Sequence, residues 1–223
     1  MCFSAEADFV SAAVIGAVGI ATLREVQEKR ELPLAALPLA FAAHQFSEGF
    51  VWLGLEGSIA KSVGDVALYA YVFYAWAILP FLAPLAVMLV EPLRSRRRWM
   101  TGLVVMGFGV GVYLLYTVAT SSITAHIAQN TIEYRGVGDS GDFVTALYVV
   151  AVCATFLLSS QRRIRWFGIA NSVAVGLIAW EQRDGLTSLW CLWGAIVSVL
   201  IYFQFLDWRR DERAFTGIRT ARP

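Results

Sequence analysis

A histidine and a glutamate stand four residues apart in HQFSEGFVW, residues 44–52, inside the apolar run LPLAALPLAFAAHQFSEGFVWLGL. Imidazole and carboxylate hold metal ions, exchange protons and hydrogen-bond small polar ligands. On a helix, the i, i+4 spacing puts His44 and Glu48 on one face. Gly49 beside them leaves room for another helix or a ligand to approach. Ionisable groups inside an apolar span are costly to expose to lipid, so they turn toward the interior and often mark function.

The chain that holds them has 223 residues, 58% hydrophobic and 16% charged. A soluble domain of this size carries about 25% charged residues. Apolar runs recur at 7–23, 32–55, 66–90, 99–120, 144–160, 166–182 and 186–208. They are continuous rather than alternating, which points to helices and not to a barrel. The expected fold is an all-α integral membrane bundle of seven transmembrane helices. Residues 1–208 form its single domain and 209–223 a basic tail. Pro33, Pro38, Pro80 and Pro84 in the second and third spans are candidate kink sites.

Charge sets the expected orientation. Segments 24–31, 91–98, 161–165 and 209–223 hold all of the 18 Lys and Arg residues except Lys61, Arg135 and Arg183. The positive-inside rule then puts the N-terminus outside and the C-terminus in the cytoplasm. Topology accounts for these basic segments, and no nucleic-acid partner is expected. MCFSAEADF lacks a basic start and carries Glu6 and Asp8, so the first apolar run is expected to stay as a helix rather than leave as a signal peptide.

In that frame the candidate site gathers near the outer ends of the helices. His44 lies about 18 Å and Glu48 about 24 Å along the second span from Leu32. Glu181 closes the sixth span at similar depth, and Cys191 lies in the first turns of the seventh. Cys2 and Ser4 precede the first, and His126 belongs to the connection 121–143, SSITAHIAQNTIEYRGVGDSGDF. Gly136, Gly138 and Gly141 mark turns there, and Ile123, Ile127 and Ile132 suit it to cap the bundle. The inner half is plainer, with Asn171 and Ser198 as its main polar residues.

The expected ligand-binding set is His44, Gln45, Glu48, His126 and Glu181, under residues 121–143 as a lid. A transition-metal ion is the one cofactor considered, with Cys2, His44, Glu48 and Cys191 as ligands, although no CxxC or HxxxH spacing supports it. Loss of Met1 would give Cys2 a free amine beside its thiol, a pair suited to a soft metal or to nucleophilic attack.

Each residue also has a plain structural reading. His44 and Glu48 can lock helices together, His126 can be a surface loop residue, and Glu181 an interfacial charge beside Arg183 and Asp184. Cys153 reads as a small buried hydrophobe. Two other function classes stay open. A small-solute permease would use the three-plus-one-plus-three order of helices. An intramembrane hydrolase would use Ser4 or Cys2 with His44 as base. Two histidines are too few for a ceramidase-like zinc site, and lysines at 29 and 61 alone exclude a retinal Schiff base in the last helix.

The start MCFSA, the segment HQFSEGFVWLGL and the segment LTSLWCLWGAIVSVLIYFQF resemble a family of bacterial multi-pass membrane proteins of uncharacterised function that begin Met-Cys-Phe-Ser-Ala. The resemblance covers most of the chain and implies the bacterial inner membrane, with the lipid bilayer as partner. It supplies no reaction. Glutamine also stands at the position of His44 in that family, which shifts the weight toward Gln45 and Glu48.

Overall fold

The structure is a computed structural model that describes residues 4–128, 131–136, 141–181, 194 and 196–210, the side chains of 141–142 and 177–181 excepted. Seven helices run through the described residues: α1 (Ala5–Arg24), α2 (Leu32–Leu55), α3 (Lys61–Val90), α4 (Arg94–Thr120), α5 (Gly141–Leu158), α6 (Arg162–Glu181) and α7 (196–210). They follow the seven apolar runs. The beginning of the seventh run lies outside the described residues.

Among the described residues three helices, α1, α3 and α4, are both long and apolar enough to cross a membrane. The apolar part of α5, Phe143–Leu158, is shorter. α2 has the length, 24 residues, but carries His44, Gln45, Ser47 and Glu48 within it. Packing is sequential, with α1 on α2, α2 on α3 and α4 on both α3 and α5.

α1 starts at Ser4, whose Oγ accepts from the Ala7 N–H at 3.3 Å, with Glu6 and Asp8 in the first turn. Its buried residues, Ala5, Asp8, Ala12, Ile15, Gly19 and Thr22, recur every three or four positions and form one stripe. The opposite face exposes Val10, Val14 and Ile20, so the helix is apolar all round. Gly49 lets this stripe meet α2, because a Cβ there would lie 2.7 Å from the Phe9 ring.

Proline shapes α3. A π-helical turn spans Phe73–Ile78, with the Leu79 N–H donating to the Tyr74 carbonyl. The next bond of that pattern would need an N–H on residue 80, which is proline. The Ala75 carbonyl accepts instead from the Tyr148 hydroxyl of α5 at 2.8 Å. Gly107 and Gly111 of α4 lie against the carbonyls of Pro80 and Ala77, where any side chain would collide.

Residues 121–143 hold an antiparallel hairpin that the helical reading did not foresee: β1 (Thr124–Ala128) and β2 (Thr131–Arg135), with His126 opposite Glu133 and Ala128 opposite Thr131. Its Ile132 is buried in an apolar cluster with Ala5, Trp52, Tyr71 and Val118, so the hairpin packs on the helix ends. Gly136 follows β2 at φ 111°, a left-handed conformation that suits glycine. A second cluster, including Leu34, Val87, Met100, Phe156 and Phe205, fills the middle and the opposite end.

That opposite end is where the arginine-rich segments gather, and buried charges pin it. Arg209 of α7 donates to the Glu31 carboxylate at 2.5 Å and to the Glu25 carbonyl at 2.7 Å. The Glu91 carboxylate accepts from the Ser159 hydroxyl and the Ser160 N–H.

Candidate functional site

The polar residues of α2 do not stand alone. Asp8, Gln45 and Glu48 are all almost fully buried, Asp8 and Glu48 at 0% exposure. The Gln45 side-chain amide donates to Asp8 Oδ1 across the α1–α2 interface, and Glu48 Oε2 lies 3.5 Å from the same nitrogen. One NH2 group carries two protons, enough for one toward each carboxyl. From above, the Tyr134 hydroxyl of β2 donates to Glu48 Oε1 at 3.2 Å.

Aromatic rings frame this cluster. His44 stacks on Tyr71 with ring centres 3.9 Å apart, and Tyr71 stacks on Tyr134 at 4.7 Å. Tyr74 tilts over the other side of His44 at 4.9 Å. Tyr71 and Tyr74 flank the start of the π turn, so the break in α3 lies directly beside the site. A closed circuit results. The α2 backbone joins His44 to Glu48, a hydrogen bond joins Glu48 to Tyr134, and two stacking contacts lead through Tyr71 back to His44.

Nδ1 of His44 and Nε1 of Trp52 have no hydrogen-bond partner among the described residues. Both side chains are buried, at 7% and 3% exposure. Counting along α2, His44, Glu48 and Trp52 are i, i+4 and i+8, a single face.

The expected ligand set is therefore brought together in part. His44, Gln45 and Glu48 sit in one cluster. His126 lies in β1 opposite Glu133, half-buried, with an unpartnered Nε2 and no contact to the cluster among those described. Glu181 ends α6, and its side chain, with Cys2 and Cys191, lies outside the described residues. Among the described residues no three His, Cys, Asp or Glu side chains converge as a metal site. Ser4, considered as a nucleophile, is the N-cap of α1. Cys153 is a free, buried thiol that accepts from the Asn171 amide at 3.3 Å.

Asp8, Tyr71, Tyr74 and Tyr134 were not among the expected site residues. A signal for Asp8 was present: it shares the three-to-four spacing of Ala5, Ala12 and Ile15 inside an apolar run. The tyrosines offered no such signal, because membrane proteins carry tyrosine at every interface.

In chemical terms the site offers oxygen donors, two carboxyls, an amide and a phenol, inside aromatic walls. Hard cations and ammonium groups suit such donors, and aromatic faces favour the latter.

A family profile described as a family of unknown function (DUF6629) matches residues 1–216. No curated protein and no solved structure matches. The chain belongs to that family, in keeping with its resemblance to an uncharacterised group.

Proposed function

We propose that this family member is an integral inner-membrane protein of seven spans that binds a small cationic ligand from the outer side. The N-terminus and the hairpin would face outward and the arginine-rich end the cytoplasm. The observation that carries the binding role is the pair of carboxyls, Asp8 on α1 and Glu48 on α2, both at 0% exposure and both contacting Gln45 beneath the hairpin. Two buried carboxyls that meet at one amide supply oxygen donors of the kind that cationic ligands suit. Large apolar side chains exposed on α1 and α4, such as Val10, Val14, Val105 and Phe108, support the membrane reading.

Two measurements test it. Cysteines placed at Lys61 and at Arg94 should be labelled by an impermeant maleimide from outside and from inside, respectively. The same side for both would overturn the topology. Purified wild type, Glu48→Gln and Cys2→Ser should then be compared for bound metal by mass spectrometry. Their thermal stability should also be followed in titrations with Na+, Mn2+, Zn2+ and methylammonium. Stabilisation of wild type by one of these cations, lost in Glu48→Gln, is expected. No bound metal and no response to any cation would remove the binding role. Metal lost in Cys2→Ser would assign a thiol ligand.

A permease is the second reading, favoured by the π turn of α3 beside Tyr71 and Tyr74, since helix breaks next to a site are common in transporters. Uptake of the stabilising cation into proteoliposomes separates transport from binding.

A further inference from the structure

We infer that the site takes an amphoteric small molecule, with a cationic nitrogen and a hydrogen-bond acceptor close together, rather than a bare cation. This rests on the cation-binding reading above and narrows its ligand class. Acidic oxygens alone would fit any small cation. The discriminating observation is the Trp52 indole N–H, buried at 3% exposure, one helical turn from Glu48 and without a partner among the described residues.

An indole N–H can only donate. A bare cation cannot satisfy it, and neither can another ammonium group. Leaving such a donor buried and unpaired destabilises a protein by about 1–3 kcal/mol, so its partner should be something that enters. On the other side of Glu48, one turn away, His44 Nδ1 is likewise buried and without a partner among the described residues. The Glu48 carboxyl, an acceptor, thus lies one turn from a donor that has no acceptor among those residues, about 5–6 Å apart between Cβ atoms. An ammonium group at Glu48 and Asp8, with a hydroxyl or carboxylate oxygen at Trp52, matches both.

The test uses the full chain in lipid nanodiscs and reads the thermal unfolding midpoint. The probes are ethanolamine, glycine and serine as amphoteric molecules, methylammonium as cation alone and acetate as acceptor alone. In wild type, at least one amphoteric probe should act at concentrations about tenfold below methylammonium, and acetate should not act. Trp52→Phe keeps a ring and removes the N–H. Its smaller ring loses packing and lowers the unliganded midpoint, so the readout is the probe-induced shift: the advantage of the amphoteric probe should vanish. Methylammonium as effective as the amphoteric probes would overturn this inference and leave the cation reading standing. No response to any probe or metal cation would overturn both. An amphoteric advantage that persists in Trp52→Phe would also overturn it. The wild-type probe comparison decides the matter even where the variant fails to fold.

Discussion

Tyr134 on the hairpin donates its hydroxyl to Glu48 on α2, 3.2 Å away across 86 residues of sequence. The same ring stacks on Tyr71. One side chain thus holds the hairpin by a directional bond and by an apolar face, and the two can be separated. Tyr134→Phe keeps the stack and removes the bond. We expect it to lower stability by about 1–3 kcal/mol and to speed amide exchange in Thr124–Arg135 while α1 and α2 keep their protection. Uniform loss of protection across the bundle would mean that the bond supports the whole fold and not the hairpin alone.

The meeting of α1 and α2 depends on Gly49. A methyl group there would lie 2.7 Å from the Phe9 ring. Gly49→Ala should destabilise by about 1–3 kcal/mol through overpacking, despite alanine's better helix propensity. Phe9→Leu in the same chain should recover part of the loss, a coupling of about 0.5–3 kcal/mol for residues in contact. Equal and additive losses would show that the two do not share the space.

The π turn of α3 makes a separate expectation. Proline at 80 leaves the Ala75 carbonyl without a π-type partner, and Tyr148 supplies the proton at 2.8 Å. Tyr148→Phe should therefore cost about 0.5–1.5 kcal/mol as a half-buried acceptor loses its donor. Pro80→Ala should make the double variant less harmful, since a backbone N–H returns. A double variant no better than Tyr148→Phe alone would refute this account of the turn.

These features were unevenly legible in the sequence. Continuous apolar runs located the helices, because a helix satisfies its own backbone groups and needs only apolar side chains outside. The hairpin was not legible. Residues 121–143 mix Ile with Thr, His and Glu, a pattern that suits a surface helix as well as two short strands, and packing of Ile132 on Trp52 and Tyr71 decides between them. His44, Gln45 and Glu48 were legible because polar residues are rare in such runs. Asp8 needed a partner on another helix to acquire meaning, and so did Tyr134. Tryptophan near the end of an apolar span ordinarily anchors at the bilayer interface, yet Trp52 is 3% exposed.

The arginines at the opposite end illustrate the same limit. All of them were explained by topology, and for most a solvated position is enough. Arg209 differs, being 2% exposed and held by the Glu31 carboxylate and the Glu25 carbonyl. Glu31 also accepts from the backbone N–H groups of Gln27 and Glu28, so the connection between α1 and α2 is organised around it. Arg209→Met would leave that carboxylate without its cation, a loss of about 3–5 kcal/mol for a buried pair. Arg210→Gln, next in sequence but exposed, should change stability by no more than about 0.5 kcal/mol. Both variants remove one positive charge from the same end, so a role in orientation alone would make them equivalent. Glu31→Gln combined with Arg209→Met should be less damaging than Arg209→Met by itself, because the unpaired charge is gone. Denaturation in mild detergent measures all four proteins. Equal stability of the Arg209 and Arg210 variants would return Arg209 to the topological group.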